Sequence, residues 1–129
     1  MIGLDTNVIV RYLVRDDPGQ TSRATALING LSQDTPGFIA TVAWAEIHWV
    51  LTRAYRFDRV TVVESLAALY AVEEVRAEDP AAVTSAISQA RFGADFADAL
   101  IAATARRAGC SEVFTFDKRA ATKLGWQIP

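Results

Sequence analysis

The stretch Met1-Ile2-Gly3-Leu4-Asp5-Thr6-Asn7-Val8-Ile9-Val10-Arg11-Tyr12-Leu13 decides how this chain reads. Met1 to Leu4 is short and apolar, as a buried strand is. Val8, Ile9, Tyr12 and Leu13 recur at helical spacing, so Asn7 to Arg15 predicts a helix. Asp5 stands at the join. A short apolar strand running straight into a helix is the unit from which covered parallel sheets are built.

The same alternation continues along the chain. Asp17-Pro18-Gly19 breaks the first helix, and Thr21 to Leu31 predicts a second. Pro36-Gly37 marks a turn before a strand at Phe38-Ile39-Ala40. Thr41 is positioned to cap a long helix from Val42 to Arg56. Thr61 to Tyr70 predicts another helix, and Glu74-Val75-Arg76 a third strand. Pro80 suits the first position of a helix reaching Arg91. Asp95 suits the cap of one running to Arg107, with Gly109 ending it. Glu112 to Phe116 predicts a last strand, and Lys118 to Leu124 a short helix closed by Gly125. The expected class is α/β with a mostly parallel sheet covered on both faces, formed by residues 1–129 as one domain.

Composition narrows the function. The 129 residues are 51% hydrophobic and 22% charged, with a net charge of −2. That is ordinary for a globular protein and argues against coating nucleic acid by bulk charge. No apolar run approaches the ~20 residues of a membrane helix, and no signal peptide is recognisable, so a cytoplasmic protein without a membrane partner is expected. Cys110 is the single cysteine, which excludes an internal disulfide.

Four acids interrupt apolar sequence. Asp5 ends the first strand. Glu46 lies within the run Val42 to Leu51, where His48 is the only other polar residue. Asp98 opens Ala99-Leu100-Ile101-Ala102-Ala103, and Asp117 closes Val113-Phe114-Thr115-Phe116. A buried carboxylate is unfavourable unless paired, protonated or metal-bound. Each acid also has a structural alternative. Asp5, Asp95 and Asp117 suit helix caps, and Glu46 suits an ion pair with Arg53. Asp98 shares a helical stripe with Ile101, Ala102 and Ala105, which favours it as a ligand and Asp95 as its support. Thr115 is placed to hold Asp117 or a water. In open α/β sheets, ligands bind beyond the carboxyl ends of the strands, where Asp5 and Asp117 fall. An all-carboxylate set prefers Mg²⁺ or Mn²⁺ to zinc. His48 lacks visible partners and reads as packing. No P-loop is present.

The ordered set Met-Ile-Gly-Leu-Asp5-Thr6-Asn7, Glu46, Asp95-Phe-Ala-Asp98-Ala-Leu-Ile-Ala-Ala-Thr-Ala and Thr115-Phe116-Asp117 resembles PIN-domain proteins, and more narrowly VapC-type toxin ribonucleases. The resemblance covers nearly the whole chain. It implies a three-layer α/β/α fold and Mg²⁺- or Mn²⁺-dependent hydrolysis of RNA (tRNA, rRNA or mRNA). Asp5, Glu46, Asp98 and Asp117 would surround the metal, with Thr6, Asn7 and Thr115 as hydrogen-bonding support. It also implies a homodimer and a VapB-like antitoxin that covers the groove. Arg11, Arg53, Lys118 and Arg119 are candidates to grip RNA or an antitoxin carboxylate, and Trp44 and Trp49 candidates for a partner surface. A non-toxin PIN nuclease of RNA processing and a non-catalytic PIN-fold binding module remain alternatives. An aspartyl phosphatase would want a second Asp where Asn7 stands.

Overall fold

Ile2 and Gly3 form β1, which runs parallel to β2 (Gly37–Ile39), pairing Ile2 with Gly37 and Gly3 with Phe38. On its other edge β2 runs parallel to β3 (Val75–Ala77). The computed structural model describes residues 1–129, in two compact units, Met1–Pro80 and Ala81–Pro129. The parallel sheet has the order β1-β2-β3 and lies in the first unit; with seven α-helices along the chain, this is the expected α/β class and is consistent with three layers. No helix is long and apolar enough to cross a membrane.

Gly37 sits in the central strand for a steric reason. A Cβ there would meet Leu4 Cδ1 at 2.6 Å and Leu31 Cδ1 at 2.9 Å. Leu4 is buried, so its side chain has little room to give way.

In the first unit, α1 spans Thr6–Val14 and ends at Arg15, in the left-handed region at φ 60°. α2 begins earlier than the sequence suggested, at Pro18 rather than Thr21, and reaches Asn29. The Asp17-Pro18-Gly19 break is also a start. Asp17 accepts a hydrogen bond from the Gln20 amide at 3.0 Å, and Pro18 takes the first helical position, where a missing N–H does no harm. α3 (Thr41–Trp49) is capped at Ala40 with no side-chain bond, so Thr41 is its first residue and not its cap. The single helix expected to Arg56 instead changes pitch, with a π-helical turn over Val50–Ala54. α4 (Arg59–Tyr70) starts two residues before the expected Thr61, because Asp58 accepts from the Thr61 amide at 2.8 Å. Trp44, Ile47, Leu51, Val62, Leu66 and Leu69 are core residues here.

In the second unit, α5 (Pro80–Arg91) and α6 (Phe96–Arg107) bury small faces built from Ala82, Val83, Ala86 and Ala90 and from Phe96, Ala99, Leu100 and Ala103. The strand expected over Glu112–Phe116 is a correction. It forms one parallel bridge, Phe114 to Gln127, supported by Thr115 N to Gln127 O and Gln127 N to Val113 O, each 2.9 Å. It pairs with chain just beyond α7 (Lys118–Leu124) instead of joining the three-stranded sheet. Gly125 ends α7 at φ 71°, a left-handed stop suited to glycine.

Candidate active site

Asp5 stands one residue beyond the last β1 contact, since the Leu4 amide still donates to Phe38 O at 2.8 Å. The Asp5 carbonyl starts α1 by accepting from Val8 N and Ile9 N. Its side chain, however, makes no capping hydrogen bond. The capping explanation therefore fails for Asp5: its carboxylate is exposed and uncommitted at the carboxyl edge of the sheet. Thr6 is buried, and its Oγ1 has no hydrogen-bond partner, so it does not hold Asp5. Asn7 is exposed.

Glu46 is not the buried charge that its apolar neighbours suggested. α3 buries Ala43, Trp44, Ile47 and His48. Glu46 lies on the opposite face with Val42 (64% exposed) and Trp49 (42%). Its expected ion pair with Arg53 is absent: the Arg53 guanidinium lies over the Trp49 ring, 5.9 Å from the centroid. Trp44 is fully buried (0%) and meets Tyr70 edge-on at 6.2 Å, so it is core and not a partner contact.

A further acid escaped the sequence reading. Glu78 directly follows β3, the position relative to a strand that singled out Asp5. Its amide donates to Ile39 O at 3.0 Å, and its Oε1 accepts from Thr41 N at 2.8 Å. Glu78 thus caps α3, which carries Glu46.

Arg11 is already engaged inside the first unit. Its Nη1 donates to Asp16 at 2.8 Å and to the Tyr55 hydroxyl at 3.0 Å, and its Nε donates to Gln20 at 2.6 Å. Tyr55 in turn donates to Asp16 at 2.8 Å. That bond from Tyr55, ahead of Arg11, holds the Asp16 carboxyl below the usual carboxylate range. The reciprocal bond to Asp16 pushes the Tyr55 phenol up, and the bond to Asp16 also raises Arg11. Arg11 is a structural link before it is a phosphate contact. Beside it a groove of about 470 Å³ runs between α1 and α2, lined by Asn7, Arg11, Gln20 and Arg23 among others. Arg23 was not foreseen.

In the second unit, Asp95 is the expected cap of α6, accepting from the Asp98 amide at 2.9 Å. Asp98 is half-buried, but its stripe is not wholly core-facing, since Ile101 is 53% exposed. Asp117 is a working cap: one carboxylate oxygen accepts from Arg119 N at 2.9 Å and Ala120 N at 3.1 Å. Thr115 Oγ1 accepts from the Asp117 amide at 3.0 Å, so it braces the backbone and not the carboxylate.

The structure gathers no group of three or more His, Cys, Asp or Glu side chains able to hold a metal ion. By donor chemistry an exposed carboxylate such as Asp5 or Glu46 suits a hard divalent cation, which prefers oxygen ligands. The orphaned Thr6 hydroxyl, next in sequence to Asp5, is a further oxygen without a partner.

Residues 2–124 match the model of the PIN domain family. The chain belongs to that family. The match runs through both units and includes Asp5, Glu46, Asp98 and Asp117. No curated protein matches the chain. PIN domains are generally metal-dependent nucleases, and membership points to that superfamily.

Proposed function

We propose that this PIN domain is an Mg²⁺- or Mn²⁺-dependent endoribonuclease, the toxin of a type II toxin–antitoxin pair of the VapC type. The observation that carries the reading is Asp5: a helix-start acid at the carboxyl edge of a parallel sheet whose side chain does not cap its helix. In this reading Asp5, Glu46, Asp98 and Asp117 supply the carboxylates, with Asp5 and Asp98 the principal ligands. A bound divalent cation supplies Lewis-acid activation of water and stabilises charge growing on the phosphate. Asp95 fixes the first turn of α6 and so the backbone of Asp98, and Thr115 does the same for Asp117. Glu78 fixes the start of α3. The proposed partners are RNA, a second copy of the chain and a VapB-like antitoxin, in a cytoplasmic assembly.

Production of the chain alone in bacterial cells, followed by mapping of new RNA ends, tests this. Growth arrest with discrete RNA ends, lost in Asp5→Asn, is expected. Full growth with intact RNA would overturn the toxin reading. Discrete ends without arrest would favour a processing nuclease.

A second reading has its own support. Asp95 and Asp117 both use their carboxylates as caps, as they would in a non-catalytic PIN-fold binding module. That reading expects Asp5→Asn to be silent in every assay.

A further inference from the structure

Phe114 and Phe116 are exposed where phenylalanine normally is not, at 58% and 83%. Exposure alternates along this segment, with Val113 and Thr115 half-buried between them. The backbone beneath is pinned: Thr115 N donates to Gln127 O, and Asp117 N donates to Thr115 Oγ1. The rings therefore stand on a fixed base. Lys118 and Arg119 follow immediately, both exposed, and Lys123 is exposed on the same short helix. None of the three side chains is tied up in the second unit's ion pairs or hydrogen bonds.

We infer that Phe116, assisted by Phe114, is a stacking platform for an unpaired RNA base, with Lys118 and Arg119 on the flanking phosphates. This rests on the ribonuclease reading and adds to it the side chains that hold the substrate. Aromatic faces bind unstacked bases of any sequence, and adjacent cations hold the backbone. Charge complementarity selects nucleic acid over an apolar protein surface, because such a surface would leave these cations desolvated and unpaired. Phe116 precedes Asp117, so a stacked base would set the register of the RNA at that proposed catalytic acid.

The test uses the full chain in EDTA, where metal-dependent cleavage is stopped, and a labelled single-stranded 12-mer oligoribonucleotide. Phe116→Ala is expected to weaken binding about tenfold, with Phe116→Trp restoring it. Its salt dependence should be unchanged. In Lys118→Gln/Arg119→Gln the slope of log affinity against log salt should fall by about 1.4, that is ~0.7 for each of two phosphates. Duplex RNA should be insensitive to Phe116→Ala. Near-UV and far-UV circular dichroism verifies that each variant is folded. Unchanged single-strand affinity in folded Phe116→Ala, while the wild type still cleaves RNA with Mn²⁺, overturns the platform and leaves the nuclease standing. A wild-type chain that neither binds nor cleaves RNA overturns both. A change of oligomeric state in Phe116→Ala by light scattering, with RNA affinity intact, would make the patch a protein interface and overturn the platform.

Discussion

The Glu78 carboxylate accepts a hydrogen bond from the Thr41 amide at 2.8 Å across 37 residues, tying the end of β3 to the first turn of α3. Ala40, the residue at the capping position, has no side chain able to do this. Glu78→Ala should lower stability by about 1 kcal/mol, the usual worth of an N-cap, and Glu78→Gln by less, because the amide oxygen still accepts. Urea titrations of both variants measure this. Equal stability of Glu78→Ala and wild type would show that the bond contributes nothing.

The Arg11–Asp16–Tyr55 network should give stability a pH window. The folded Asp16 pKa is depressed, chiefly by the Tyr55 hydroxyl. Its contribution is present above the ordinary carboxylate value and is lost as pH falls through the folded value. The folded Tyr55 pKa is raised, chiefly by Asp16. Its contribution is present below the ordinary phenol value of about 10 and is lost as pH rises through the folded value. Melting temperature against pH should fall at both ends, and Tyr55→Phe should flatten both edges, since each shift depends on that hydroxyl. A Tyr55→Phe profile parallel to the wild type would dismiss the network.

Gly37→Ala should destabilise by about 1–3 kcal/mol, because the new methyl enters the space of Leu4 and Leu31. Leu31→Ala in the same chain should recover part of that loss. Calorimetric melts of the single and double variants check it. A neutral Gly37→Ala would mean that both leucines turn aside freely.

Asp5 and Asp117 should respond differently to alanine. Asp117→Ala removes the acceptor for two amides and should lower stability by about 1 kcal/mol. Asp5→Ala removes no cap bond and should stay within about 0.5 kcal/mol of wild type in EDTA. Mn²⁺ should raise the wild-type melting temperature by linkage, and Asp5→Asn should abolish the rise. A rise that survives in Asp5→Asn would take Asp5 out of the metal set.

Much of the fold was legible in the sequence because its signals are local. The β1–α1 join, the Pro80 and Asp95 starts and the Gly125 stop depend on residues a few positions apart. Two errors came from contacts that are not local. The α3 cap lies 37 residues away at Glu78, beyond the reach of a local pattern that points to Thr41. The Val113–Phe116 segment pairs with Gln127 rather than with the sheet, a choice that apolar content cannot specify. Glu46 departs from its expected burial for another reason. An apolar run hides which of its faces is solvated, and Val42 and Trp49 turned out to flank Glu46 on the exposed side. Apolar flanking sequence implies burial of the four acids, yet Asp5, Glu46 and Asp117 are exposed and Asp98 is half-buried. Asp5 and Asp117 stand at helix starts and Asp98 in the first turn of α6, positions that local sequence does mark, whereas Glu46 lies in the middle of α3.

The most direct measurement is RNA hydrolysis by the purified full chain under controlled metal. With single-stranded RNA and Mn²⁺ or Mg²⁺, wild type should generate discrete fragments, EDTA should stop the reaction, and folded Asp5→Asn and Asp98→Asn should each lose most of the rate. Cleavage that persists in EDTA, or that either folded Asn variant performs at the wild-type rate, would contradict the metal-dependent ribonuclease.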